Sequence, residues 1–159
     1  MVTKDIIVLN PQWVSGFLNG EGCFCVSFTK RPYRKLKVEV QLSFSVTQVK
    51  ESMPLLESLQ KFFNCGAIRY SKKDGMYKYE VRSIKDLNHK ILPHFEKYPL
   101  IFRKDKTFQS FKEVCLLCFS NKHKNLDELK GIIELSYNMN LTNKNRRTSK
   151  EDLLKLIAS

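Results

Sequence analysis

Trp13-Val14-Ser15-Gly16-Phe17-Leu18-Asn19-Gly20-Glu21-Gly22 reads as an apolar helix that ends in an acid held between two glycines. Gly16 and Gly20 share one helix face, where a second backbone can approach closely. Glu21 falls at the helix C-terminus, where unpaired carbonyl oxygens and the negative dipole end attract cations. A carboxylate beside free carbonyls suits a hard ion such as Mg²⁺. Two such helices packed side by side bring two carboxylates to one point, the geometry of a paired-metal site acting on phosphodiesters.

Outward from this stretch, Asn10 and Pro11 read as N-cap and first helical residue. After Gly22 the period changes from helical to two. Phe24, Val26 and Phe28 alternate with Cys25, Ser27 and Thr29, which predicts a half-buried strand. A basic turn, Lys30 to Lys35, leads to a second alternation from Lys37 to Gln48. Val38, Val40, Leu42, Phe44 and Val46 face one way, and Lys37, Glu39, Gln41, Ser43, Ser45 and Thr47 the other.

Ser52 opens a helix with Pro54 in its first turn and Leu55, Leu56, Leu59, Phe62 and Phe63 on its apolar face. Cys65-Gly66 is read as its stop. Asp74-Gly75 sits between two short alternations, Ala67 to Ser71 and Met76 to Arg82, a hairpin signal. Ser83-Ile84-Lys85-Asp86 looks like a capping box for a helix running to about Tyr98, with Pro93 expected to kink or break it. Arg103-Lys104-Asp105-Lys106 leads into a helix carrying Phe108, Phe111, Val114, Cys115, Cys118 and Phe119. Two more helices are expected at about 125–139 and about 149–158, the latter capped by Thr148 or Ser149 with Asp152. The order α-ββ-α-ββ-α followed by helices is α+β with a four-stranded antiparallel sheet.

The 159 residues suit a single domain spanning 1–159. Net charge is +12, and Lys and Arg are spread along the chain rather than gathered in a tail. A folded basic surface points to a polyanionic partner, most simply nucleic acid. No segment is both strongly basic and strongly amphipathic, and none is a transmembrane run, so nucleic acid is expected as the partner before a membrane surface. Cys115 and Cys118 form a C-x-x-C inside an apolar run with no second ligand pair, so they read as small core residues. The odd cysteine count and the lack of a signal segment favour a reducing compartment. His89, His94 and His123 pair with no nucleophile in sequence and read as ordinary surface or core residues.

Val14 to Gly22 resembles the LAGLIDADG motif of homing endonucleases and related maturases. Ser15, Gly16 and Gly20 supply the small residues, Glu21 the final acid, and Asn19 replaces the usual first acid. Tyr98-Pro99-Leu100 leading into Arg103-Lys104, Phe108, Phe111, Lys112 and Glu113 is similar to the family's segment after its third helix. Gly131-Ile132-Ile133-Glu134 lacks a glycine-flanked terminal acid, so one motif is present. The resemblance therefore implies a LAGLIDADG homing-endonuclease-like domain of the single-motif, homodimeric branch.

What the resemblance implies for residues is specific. Glu21 would hold a divalent ion with the Gly20 carbonyl beside it. Gln48 resembles the position that orients active-site water. Arg103 or Lys104 resembles the basic residue near the scissile phosphate, with Arg103 preferred by spacing. Trp13, Gly16, Phe17 and Gly20 would form the dimer interface. The polar strand faces would read bases in the major groove. Candidates are Cys25, Ser27, Thr29 and Arg31 on the first strand and Lys37, Glu39, Gln41, Ser43 and Ser45 on the second. The second hairpin adds Arg69, Ser71, Lys78, Glu80 and Arg82. Lys30, Arg34, Lys35, Lys72, Lys73 and the 143–147 loop fit phosphate contacts, which set affinity rather than sequence.

The expected function is a sequence-specific DNA endonuclease cutting a long, near-palindromic double-stranded site by divalent-metal-dependent hydrolysis. Mg²⁺ is the expected ion, with Mn²⁺ as a substitute and Ca²⁺ as a non-catalytic one. Intron mobility and synthesis inside an organelle (mitochondrion or chloroplast), or in a bacterium, go with that expectation. Two alternatives stay open: an RNA maturase that assists splicing of its host intron, and a non-cleaving DNA-binding regulator of the same fold.

Overall fold

A computed structural model describes residues 7–139 and 146–159. Helix α1 (Pro11–Glu21) starts where expected: Asn10 Oδ1 accepts from the amides of Gln12 and Trp13, with Pro11 in the first turn. It runs without a loop into strand β1 (Gly22–Lys30), which pairs antiparallel with β2 (Val38–Gln48). A 3₁₀ turn, Lys50–Ser52, precedes α2 (Met53–Phe63), so Ser52 ends that turn rather than opening the helix. Asn64, left-handed at φ 52°, ends α2 one residue before the expected Cys65-Gly66 stop. Strands β3 (Ala67–Ser71) and β4 (Met76–Val81) form the expected hairpin, Gly75 supplying the positive φ of its turn. The sheet order is β1-β2-β4-β3, all neighbours antiparallel.

Pro93 neither breaks nor stops its helix. Ser83 caps α3 (Ile84–Asp86) by accepting from the Asp86 amide. A π-helical turn, Leu87–Ile91, then leads directly into α4 (Leu92–Lys97). In that turn the Leu92 amide bonds to the Leu87 carbonyl, five residues back. The wider turn lets the chain continue past a residue that has no amide hydrogen to give. Helix α5 (Phe102–Phe119) follows, then α6 (Leu126–Met139) and α7 (Lys150–Ala158), whose cap is Ser149 with Asp152.

The helices cover one sheet face. Phe24 is the hub of that core, its ring 5.1–5.5 Å from those of Phe44, Phe95, Phe108 and Phe111. Cys115 and Cys118 are buried and free, as small core residues. Phe119, in the last turn of α5, is exposed beside His89. A second cluster joins Leu129, Ile133, Leu153 and Ile157 of the C-terminal helices to Val38 at the start of β2. Among the described residues, no helix is long and apolar enough to cross a membrane.

Two local features fix α1 against this core. Gly22 leaves no room for a side chain, since a Cβ there would lie 2.7 Å from the Leu18 carbonyl oxygen. Gly22→Ala is expected to lower stability by about 1–3 kcal/mol, as overpacking does, read as a drop in thermal midpoint. An unchanged midpoint would mean that the junction relaxes freely.

Ser15, buried, is the second feature. Its hydroxyl donates to the Tyr98 carbonyl (2.6 Å), so the 3.0 Å contact with His94 Nε2 has the imidazole as donor. Four aromatic rings, Phe62, Phe63, Phe95 and Tyr98, surround His94. Burial among them lowers its pKa from 6.5 to about 4. The unfolded chain therefore binds a proton that the folded chain refuses, and His94 costs stability as pH falls from about 6.5 toward 4. Urea midpoints measured at pH 7 and pH 4.5 should drop less for His94→Gln than for the native chain. Equal drops would assign the acid sensitivity to other groups.

Candidate active site and nucleic-acid interface

The end of α1, the end of β2 and the start of α5 meet at one place. Glu21 is the last residue of α1 and is exposed. Gln48, the last residue of β2, donates from Nε2 to Glu21 Oε2 (3.1 Å). Lys104, in the first turn of α5, donates from Nζ to the Gly22 carbonyl, next to the acid. Arg103 is exposed and lines the same groove of about 370 Å³ with Asn19, Cys23 and Lys104. Of the two basic candidates, Lys104 thus reaches the backbone beside Glu21, although spacing in the sequence had favoured Arg103. Phe102, at the entry to α5, takes a left-handed φ of 53°.

Asn19 does not cap its own helix. Its Oδ1 accepts from the Ile101 amide (2.9 Å), tying α1 to the entry of α5. No cluster of three or more His, Cys, Asp or Glu side chains occurs among the described residues. Among the described residues, the carboxylate at this junction is that of Glu21, with backbone oxygens such as the Gly20 carbonyl next to it. These are hard oxygen donors, the set that suits Mg²⁺, Mn²⁺ or Ca²⁺ and lacks the thiolate or imidazole that marks a zinc site.

The sheet face opposite the core holds most of the predicted readers. Register pairs Cys25 with Ser43, Ser27 with Gln41 and Thr29 with Glu39. Ser45 pairs with Glu80, and Arg69 with Lys78. Ser71 pairs with Met76 at the hairpin end. Arg34, Lys35, Lys72 and Lys73 are exposed on the two turns beyond the strands.

Four placements differ from expectation. Ser45 is on the polar face but only 5% exposed, wedged between Cys23 and Glu80 on neighbouring strands, so it offers no surface to a base. Lys37 is not on the strand. It is the last turn residue, at φ 58°, and its Nζ donates to Ser159 Oγ (2.9 Å). Arg31 and Arg82 each lie one residue past their strands. The Arg31 amide bonds to the Lys37 carbonyl to close the turn, so it is a turn residue and not a first-strand reader.

Charges on this face are largely matched within it. Arg31 donates to Glu39 Oε2 at 2.8 Å with Arg34 at 3.9 Å, and the pairing holds the Glu39 carboxyl below its usual range. Lys78 pairs with Glu80 (2.7 Å), and Arg82 Nη2 approaches Gln41 Oε1 (3.4 Å). Glu39 and Glu80 are therefore bridged acids, and reading a cytosine would require exchanging these partners. Half-burial raises the pKa of Cys25, leaving it a neutral thiol. Exposed Cys23 and Thr47 share this face and were not among the predicted readers, although the period-two alternation places both there. Arg146 stacks on Tyr137 (4.1 Å) and donates to the Ser136 carbonyl. Residues 143–145 of the predicted basic loop lie outside the described residues.

Residues 14–115 match the family model described as LAGLIDADG endonuclease. A probable intron-encoded endonuclease of Neurospora crassa is 36% identical over 133 residues, covering 83% of this chain and 29% of that protein. This chain therefore spans less than a third of that relative's length. Among solved structures, the homing endonuclease I-LtrWI bound to target DNA is 37% identical with a TM-score of 0.79, over 87% of this chain and 45% of that one. The homing endonuclease I-TnaI is 29% identical with a TM-score of 0.81, over 96% of this chain and 98% of that one.

Proposed function

The chain belongs to the LAGLIDADG endonuclease family, and from that premise we propose that it is a homing endonuclease, one half-site subunit of a homodimer that cuts both strands of a long, near-palindromic DNA site. The observation that carries this reading is the junction at Glu21. One carboxylate stands between Gln48 and Lys104, at the end of a polar four-stranded face and beside an uncovered glycine face of α1.

In this scheme Glu21 and its two-fold mate, with the Gly20 carbonyls, would hold divalent ions. Such ions supply water activation and charge neutralisation for in-line phosphodiester hydrolysis. Gln48 restrains the Glu21 carboxylate and presents its amide to water. Lys104 places a cation beside the acid to attract the scissile phosphate, and Arg103 lines the approach. Cys25, Ser27, Thr29, Gln41, Ser43, Arg69, Ser71, Lys78 and Arg82 read base edges in the major groove, and specificity is spread over many modest contacts. Arg34, Lys35, Lys72 and Lys73 grip phosphates. The intron-encoded description of the Neurospora relative supports an intron-encoded protein made inside an organelle.

The test is cleavage of a DNA pool carrying randomised long sites, with Mg²⁺ or with EDTA. Double-strand cuts at one near-palindromic sequence, present only with Mg²⁺, are the expected result. Binding without cuts would overturn the nuclease reading in favour of a non-cleaving DNA binder. No DNA selection at all would direct the same experiment to RNA and a maturase.

A further inference from the structure

We propose that the C-terminal helices α6 and α7 brace the far half of the β1–β2 hairpin in reading position, an inference that rests on the DNA-reading role proposed above. The register shows why a brace is needed. Strand β4 pairs with β2 only from Phe44 to Gln48. Ahead of Phe44, β2 pairs with β1, and Val38 to Ser43 lie opposite Lys30 to Cys25. Among the described residues this stretch is a two-stranded ribbon that projects beyond the four-stranded sheet. The Arg31 amide donates to the Lys37 carbonyl (2.7 Å), so odd-numbered residues of β2 turn their backbone groups to β1. Val38, Val40 and Leu42 turn theirs to the side that β4 does not reach. Two strands alone are marginally stable in water and need a packed face.

That face rests on two different clusters. Val26 and Leu42, nearest the sheet, belong to the main core around Phe24. Val38, at the far end, belongs to the second cluster with Leu129, Ile133, Leu153 and Ile157. The clusters share no buried residue, while Phe28 and Val40 pack against both. The Phe28 ring stacks on that of Tyr137 in α6 at 6.4 Å. The Tyr137 hydroxyl donates to the Thr148 carbonyl just before α7, and Lys150 of α7 pairs with Glu134 of α6 (3.0 Å). Lys37, which closes the hairpin turn, is the residue whose Nζ reaches Ser159 Oγ beyond the end of α7.

The brace steadies the outermost part of the proposed interface. Thr29 lies on the polar side of the ribbon, and Arg34 and Lys35 are exposed on its turn. Helix α7 has nine residues, too few to stay helical alone in water. Its buried Leu153 and Ile157 tie it to α6 and to the ribbon. Loosening this small cluster frees the ribbon and leaves the main core folded, as local opening does in a chain with separate packing units. Leu153 and Ile157 are thus positioning residues, acting on DNA only through Thr29, Arg34 and Lys35.

Leu153→Ala and Ile157→Asp test this in the full chain, with Ile91→Val in the main core as control. Amide hydrogen exchange is read first, without DNA. Residues 28–30 and 38–40 should exchange faster in both variants, while Phe44, Val46 and Tyr79 stay protected. Cleavage is then measured on targets carrying single base-pair changes. Discrimination at base pairs about eight from the cut, where Thr29 stands, should fall by up to about ten-fold. KM should rise and kcat should hold, and Ile91→Val should leave the profile of discrimination unchanged. Native exchange rates in the ribbon of both variants would overturn the brace. Faster exchange with discrimination lost equally at every position, or at none, would overturn its part in reading. A native chain that selects no DNA would sink the proposed function instead, and exchange alone would then decide whether α7 holds the ribbon.

Discussion

Glu21→Gln should abolish cleavage while leaving specific DNA binding in place. The change keeps the size of the side chain and a partner for Gln48, whose Nε2 now donates to Glu21 Oε2. It removes the one carboxylate at the junction of α1 and β1. Loss of a group aimed at charge that develops in the transition state costs on the order of 10²–10³ in rate, and loss of an ion ligand should cost at least that. In the proposed interface, binding depends on phosphate and base contacts spread over the sheet and turns, which this change does not touch. Cleavage rates and binding isotherms on one target, at fixed salt, read the two effects separately. Parallel loss of both would make Glu21 a structural residue.

Gly20→Leu should leave the chain folded and prevent it from dimerising. Among the described residues, no atom beyond the helix's own backbone lies within 4 Å of a Cβ at Gly20, so the monomer has room for the side chain. Leucine is also a better helix former than glycine by up to about 1 kcal/mol. The penalty falls on the partner, whose backbone can no longer approach that face. Sedimentation should show a monomer, circular dichroism an intact fold, and cutting of both strands should fail. A mutant that still sediments as a dimer would place the interface elsewhere. The contrast with Gly22 is informative: there the obstacle is the chain's own Leu18 carbonyl, and the damage should appear in stability instead.

These two glycines show what local pattern conveys. Asn10-Pro11, the alternations on β1 and β2, and Asp74-Gly75 are decided by neighbours in sequence, and each was legible there. Other features depend on neighbours in space. The burial of Ser45 comes from Cys23 and Glu80 on adjacent strands. The passage of the helix through Pro93 depends on a π turn that no composition signal marks. The contact of Lys104 with the Gly22 carbonyl joins residues 82 apart in the chain, a pairing that no local pattern marks. Lys37 kept the parity of a strand residue but spends its position on closing the turn.

The absence of any linker between α1 and β1 has a metric meaning. Strand β1 begins on the residue after Glu21, so the distance from the acid to each reading side chain is set by covalent geometry. At about 3.4 Å per residue, alternate readers on β1 advance by about 7 Å, which is two base-pair steps along a strand of DNA. Thr29, eight residues beyond the acid, then stands at most about 27 Å from it, or roughly eight base pairs. Under the proposed function the chain is a ruler: it would fix where a strand is cut relative to where it is read, with no hinge in which the two could drift apart.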